Sequence, residues 1–285
     1  MKDGAVPERV AIVVLVTTDD GLSEAIRRLR PLGINTTEVV APTDARRLVL
    51  APVDESKAAH IVSCLRAEGR IAVLRPSGGP QLAAWMRHTR PITIGDRINV
   101  CFAWSEHDRR GFSGLVELDP NGGFGTGAHP STRLLLETLM TRVSGGERVL
   151  DVGCGSGVLG LSALRLGASK VVAVDTDAPA IDATRRNAAL NGFQLQVEAR
   201  LAPIAAIDGP FDVIVANIGW TALVELASEL VARMSPNGWI ALSGISHSHC
   251  SLVAASLRPL QVLENPTYDE WSALVAGRRS AGGQL

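Results

Sequence analysis

The sequence predicts an α/β protein: a doubly wound sheet of seven strands, preceded by a small N-terminal α+β domain. Three observations predict it. The apolar stretch Arg148-Val149-Leu150-Asp151-Val152 runs into three alternating glycines, Gly153, Gly155 and Gly157, and Leu159, Leu161 and Leu164 then recur at helical spacing. From there to residue 277, helical and strand patterns alternate. Residues 9 to 75 follow a different order, βαββαβ.

Composition bounds the class. The chain has 285 residues, 46% hydrophobic and 20% charged, which is globular, and its length favours two domains over one. The formal net charge of −1 gives no overall footprint for nucleic acid, and the pairs Arg109-Arg110 and Arg185-Arg186 read as solvated faces. Cys64, Cys101, Cys154 and Cys250 lie far apart, which suits a reducing cytoplasm and neither a disulfide framework nor a zinc site. His247-Ser248-His249-Cys250 lacks a second ligand group and is not read as a metal centre. The apolar run Val10 to Val16 is too short to span a bilayer and is read as a strand rather than a signal peptide.

In order along the chain, the first domain, residues 1–75, is expected to hold a strand at 9–17, a helix at 20–31 and strands at 35–41 and 46–52. A helix at 54–68 and a strand at 70–74 complete it. That order is the split form of a ferredoxin-like sandwich. With no aromatic stacking pair and no basic stripe, it reads as a module that presents a substrate or partner, not as an RNA binder. Pro76-Ser77-Gly78-Gly79-Pro80 ends it. Residues 76–118 are expected to form a linker, with a helix around Leu82 to Met86, and paired strands at 97–104 and 115–118. Residues 119–285 are the second domain.

That domain opens on a glycine-rich stretch, Asp119-Pro120-Asn121-Gly122-Gly123-Phe124-Gly125-Thr126-Gly127-Ala128-His129-Pro130-Ser131-Thr132, ahead of a helix carrying Leu134, Leu135, Thr138 and Leu139. Two readings stand. The loop closes over a ligand with Thr132 bonding it, or Ser131 or Thr132 is an ordinary helix cap.

Glycine at 153, 155 and 157 lets the backbone turn tightly, lets a ligand approach and leaves N–H groups at a helix start. The next strand, Lys170 to Asp175, ends on a carboxylate placed to bond the ribose hydroxyls of an adenosine. A dinucleotide fingerprint counted from Gly153 fails at Val158. The frame starting at Gly155 matches but begins inside the turn. The form Asp-x-Gly-x-Gly-x-Gly, usual where S-adenosylmethionine is bound, fits better.

Beyond Asp175 the pattern gives a helix at 178–191, strands at 195–199 and 211–216, a helix at 220–234 and a strand at 239–243. A helix at 248–257 and an antiparallel edge pair at 260–264 and 272–277 follow. Phe211 to Asn217 ends on an asparagine, on the side of the sheet where ligands bind. Asn217 either accepts from an amine, aiming its lone pair at a sulfonium methyl, or caps the next helix.

The stretches 119–132, Asp151 to Gly157, Ala216-Asn217-Ile218 and Leu242-Ser243-Gly244-Ile245 closely resemble the ribosomal protein L11 methyltransferase family, PrmA. So do the spacing of Trp85, Pro91, Gly95 and Trp104, and the terminal Glu270-Trp271 with Gly277-Arg278. The resemblance covers residues 85–279. It implies a seven-stranded methyltransferase sheet and S-adenosyl-L-methionine as cofactor, with Thr132, Gly153, Gly155, Asp175 and Asn217 as cofactor-binding positions. It also implies that Thr126 lies close to the cofactor, with Asn217 and Thr126 the residues that serve catalysis. The family methylates amino groups, lysine side chains and the N-terminus, of its ribosomal protein, and holds that partner with an N-terminal ferredoxin-like domain.

The sequence departs from the family's pattern at Gly122-Gly123 before Phe124, at Ala128 and Ser131, and at Gly219, where a larger residue is common. Other readings of the same cofactor domain are a methyltransferase of another protein or of a small amine, and a non-catalytic S-adenosylmethionine sensor. A nicotinamide oxidoreductase is the outlier. No dedicated general base is evident. His129 is the nearest, and beside Pro130 it is equally a brace for the loop.

Overall fold

The computed structural model describes residues 9–16, 38–43, 46–54, 60–65, 72–76, 91–103, 114–119, 127 and 129–278. The chain divides into two compact units, Met1–Pro91 with Cys101–Gly111, and Ile92–Val100 with Phe112–Leu285.

In the first unit, β1 (Arg9–Val16), β2 (Glu38–Thr43), β3 (Arg46–Asp54) and β4 (Ala72–Pro76) form one antiparallel sheet in the order β2-β3-β1-β4. A central pair joined to outer strands in this order is what a split βαββαβ chain produces. Of the helix expected at 54–68, residues 60–65 are described and helical, burying Ile61, Val62 and Leu65. The expected helices at 20–31 and around 82–86 lie outside the described residues.

The lead into the second unit is a three-stranded sheet, β5 (Ile92–Ile94), β6 (Ile98–Phe102) and β7 (Leu115–Leu118), in that order. The pairing of β6 and β7 matches the sequence reading. The additional strand β5 folds back on β6 with Ile92 opposite Val100. Three residues after a proline carry too little periodicity to announce a strand.

The main sheet holds β8 (Arg148–Val152), β9 (Lys170–Asp175), β10 (Val197–Leu201), β11 (Phe211–Asn217), β12 (Met234–Ser246), β13 (Gln261–Glu264) and β15 (Trp271–Gly277) in the order β10-β9-β8-β11-β12-β15-β13. The two-residue β14 (Thr267–Tyr268) pairs with β15 off this path. The strands from β10 to β12 are parallel, whereas β15 runs antiparallel to both β12 and β13. The order reverses direction between β8 and β11, which opens a crevice at their carboxyl ends. The strand expected at 195–199 starts two residues later, leaving Leu195 at 89% exposure.

Helices α1 (Pro130–Arg142), α2 (Val158–Arg165), α3 (Ala178–Leu190), α4 (Trp220–Arg233) and α5 (Cys250–Ser256) clothe the sheet. One face carries Leu150, Val152, Val172, Val174, Ile214 and Leu242, packed under Leu223, Ala227 and Leu230 of α4 and Val253 of α5. On the other face α2 lies so close that a Cβ at Gly160 would come within 2.8 Å of Val171 Cγ1 and 3.2 Å of Asp151 Oδ2. Strands covered on both faces explain the near-continuous apolar runs. The helix expected at 248–257 is shorter, Cys250–Ser256, because residues His247–His249 form a 3-10 turn first.

Candidate functional site

At the crevice a cleft of about 770 Å³ is lined by residues from the ends of β8, β9, β11, β12 and β15 and the start of α1. Thr132, Gly153, Gly155, Asp175 and Asn217 all lie on its wall. Thr126 is outside the described residues.

The turn after β8 carries positive φ at each glycine, +68° at Gly153, +53° at Gly155 and +78° at Gly157. Gly153 and Cys154 donate their N–H groups to the carbonyl of Val174, so the turn leans on β9. The Asp175 carboxylate accepts from the N–H of Gly155 through Oδ2 (3.1 Å) and from the N–H of Asp177 through Oδ1 (3.0 Å). A carboxylate oxygen has two acceptor sites, so both oxygens retain capacity for the hydroxyls of a diol. Ala202, Pro203 and Ile204 supply an apolar wall beside it, and the Ala202 N–H donates to the Asp175 carbonyl at 3.1 Å.

Asn217 ends β11, and its amide nitrogen donates to Thr132 Oγ1 at 2.9 Å. With the nitrogen so committed, Oδ1 is the amide atom directed elsewhere. Asn217 does not cap α4, whose N-cap is Gly219. Nor does Ser131 or Thr132 cap α1: the N-cap is His129, which accepts from the Ser131 N–H at Nδ1 (3.3 Å) and lies 2.7 Å from the Ser131 hydroxyl. His129 thus braces the helix start, and its ring meets Trp271 edge-on at 4.9 Å between centroids. His247 is also built in, donating from Nε2 to the Asp269 carbonyl at 2.7 Å while Nδ1 lies 2.7 Å from Ser272 Oγ.

Ile218 is gripped between two glycines. A Cβ at Gly153 would come within 2.4 Å of Ile218 Cγ2, and one at Gly244, where φ is +86°, within 2.2 Å of the Ile218 carbonyl oxygen. Only glycine permits that approach. At Gly219 an added Cβ would meet nothing within 4 Å, so this departure opens space on the cleft wall.

Two buried groups behind the turn are electrostatically unusual. Asp151 accepts from the Gly160 N–H at 3.0 Å through Oδ2, while Oδ1 has no hydrogen-bond partner. Burial, aided by the charge of Asp175, pushes its carboxyl up to about 7. Burial likewise pushes the Cys154 thiol well up, which makes it a poor nucleophile.

Sequence reasoning passed over Thr184 and Asn187, both on α3. Thr184 donates to the Gly155 carbonyl at 3.1 Å, and Asn187 donates to the Ser156 carbonyl at 2.8 Å. The signal was present as polar residues on a buried helix face otherwise lined with Ala180, Ile181, Ala183 and Ala188. Trp271 was noted only through the resemblance, since nothing local to β15 places it at the cleft.

A doubly wound sheet in this strand order, with a glycine turn, an acid at the end of the next strand and an antiparallel edge pair, defines the fold class of the S-adenosylmethionine-dependent methyltransferases. The chain belongs to the ribosomal protein L11 methyltransferase (PrmA) family, whose model matches residues 82–279. It is 42% identical over 196 residues to the ribosomal protein L11 methyltransferase of Citrifermentans bemidjiense, covering 67% of this chain and 64% of that protein. It thus spans somewhat under two thirds of that relative's length. A match to the enzyme of the same name from Burkholderia cenocepacia, 35% identical, covers 92% of this chain and 95% of that one. Among solved structures, the ribosomal protein L11 methylase from Lactobacillus delbrueckii subsp. bulgaricus superposes with a TM-score of 0.62 at 28% identity, over 67% of this chain and 99% of that one.

The residues present fit S-adenosylmethionine. An acid for the ribose, an apolar wall for the base, a turn with positive-φ glycines, and Thr132 with Asn217 at the far side share one cleft of about 770 Å³.

Proposed function

We propose that this chain is an S-adenosylmethionine-dependent N-methyltransferase of protein amino groups, with ribosomal protein L11 as its substrate, acting in the cytoplasm. The observation that carries the reading is the joining of Asn217 to Thr132 on the wall of the cleft that also holds Gly153, Gly155 and Asp175. Family membership supports the substrate, and the match extending over 92% of the chain supports an N-terminal domain that presents it. Among the described residues no helix is long and apolar enough to cross a membrane.

When bound, the cofactor would supply an electrophilic methyl carbon: an amine nitrogen would form the new N–C bond as the S–C bond breaks, with S-adenosylhomocysteine as the leaving group. The protein's own residues then bind, orient and exclude water. Asp175 would hold the ribose. Thr132 fixes the Asn217 amide so that Oδ1 accepts from the acceptor amine and aims its lone pair. A lysine, with an ordinary pKa of about 10.4, must first lose a proton, which the apolar cleft favours by penalising the ammonium. His129 is bound up as the cap of α1, with its ring on Ser131 and its backbone carbonyl accepting from the Thr132 N–H at 3.0 Å.

Calorimetric titration with S-adenosylhomocysteine and, separately, NAD tests the cofactor assignment. Saturable binding of the first alone is expected. Binding of NAD alone would overturn it.

A further inference from the structure

Helix α3 grips the glycine turn from behind. Thr184 and Asn187 lie one turn apart on its buried face, 1% and 0% exposed. The Thr184 hydroxyl donates to the carbonyl of Gly155, and the Asn187 amide to the carbonyl of Ser156. In a trans peptide the C=O and the following N–H point in opposite directions. Holding these two carbonyls toward α3 therefore fixes where the N–H groups of Ser156 and Gly157 point. The Gly157 N–H donates to the Cys154 carbonyl at 2.7 Å, which closes the turn.

Asn187 also reaches the other way. Its Oδ1 accepts the N–H of Asp119 at 2.7 Å, and Asp119, 2% exposed, is the residue that leads into the glycine-rich stretch 120–128. One turn later Asn191 makes a related pair of bonds. It accepts from the Glu117 N–H at 2.9 Å and donates to the Glu117 carbonyl at 2.7 Å, as a neighbouring strand would. The two asparagines thus both hold the chain at 117–119. Of the two, Asn187 is the one that also holds the glycine turn.

We propose that Asn187, with Thr184 beside it, is a positioning residue for the cofactor, tying the glycine turn to the chain segment that leads into the second glycine-rich stretch. The proposal rests on the cofactor reading above. It predicts that removing the Asn187 amide loosens cofactor binding, whereas removing the Asn191 amide costs stability without reaching the turn.

The test is calorimetric titration of the full chain with S-adenosylhomocysteine, paired with thermal melts, for Asn187→Ala, Asn191→Ala and Thr184→Val. The expected result is a Kd raised about tenfold in Asn187→Ala, against a change below about twofold in Asn191→Ala at a similar fall in Tm. Equal changes in Kd for the two asparagine variants, or an unchanged Kd in Asn187→Ala, would overturn the proposal. Should Asn187→Ala fail to fold, Thr184→Val decides. It removes a carbonyl bond at the turn and no bond to residues 117–119, and an unchanged Kd there overturns the proposal. Failure of the unaltered chain to bind would instead sink the cofactor reading, and the proposal with it.

Discussion

The side-chain amide of Asn217 donates to the hydroxyl of Thr132 at 2.9 Å, joining the end of β11 to the first turn of α1 across 85 positions of sequence. Each side chain orients the other. Asn217→Ala is expected to slow methyl transfer about a hundredfold, with S-adenosylhomocysteine affinity changed far less, because in the proposed mechanism the lost oxygen accepts from the acceptor amine. Thr132→Val should reproduce part of that loss. A double-mutant cycle in transfer rate is expected to give a coupling of about 1 kcal/mol, and strict additivity would show that the two act separately.

The Asp175 carboxylate is held by two backbone N–H groups, and on the proposed reading it would bond the ribose. Asp175→Ala removes charge-assisted hydrogen bonds worth about 1.5–3 kcal/mol, so the Kd for S-adenosylhomocysteine should rise roughly 10- to 100-fold. Normal binding by this variant would remove the adenosine assignment.

Glycines of the same cleft should respond in opposite ways. Gly153→Ala meets Ile218 at 2.4 Å on a backbone with φ of +68° and is expected to cost about 1–3 kcal/mol of stability. Gly219→Ala points into open space from φ −59° and ψ 143°, where any residue sits comfortably. Its melting temperature should hold, and the change should appear in KM for the acceptor. A fall in Tm for Gly219→Ala as large as for Gly153→Ala would contradict the geometry.

Asp151 is expected to make stability fall with rising pH. Its carboxyl is raised from 3.8 to about 7, so across that window the unfolded chain has released a proton that the native state still holds. Native stability then falls by up to about 1.4 kcal/mol per pH unit and levels off above pH 7, a few kcal/mol in all. Asp151→Asn keeps an acceptor for the Gly160 N–H and carries no charge. Denaturant titrations at pH 4.5 and 7.5 should therefore show the variant gaining on the unaltered chain as pH rises. Parallel curves would mean that Asp151 titrates normally.

Much of this was legible in the sequence, for reasons visible in particular residues. The apolar runs of β8, β9 and β11 are doubly covered strands, and the glycines that follow β8 need positive φ, so the turn announced itself. That Gly153, Asp175 and Asn217 line one cleft follows from strand ends alone, because such sheets open at their carboxyl edge. What escaped was tertiary. That Thr132 bonds Asn217, that His129 is the cap, and that Asn187 links Asp119 to Ser156 depend on segments distant in sequence meeting in space. Strand β5 escaped because three residues carry no period. The cap readings left open by the sequence, for Thr132 or Ser131 and for Asn217, are excluded by where α1 and α4 begin.

The most direct test is incubation of the purified chain with methyl-tritiated S-adenosylmethionine and salt-washed ribosomes from cells lacking this activity, followed by a gel and mass spectrometry of labelled bands. One labelled protein, ribosomal protein L11, methylated on lysine side chains or its N-terminal amine, is the predicted result. Binding of S-adenosylhomocysteine with no label in any ribosomal protein would contradict it.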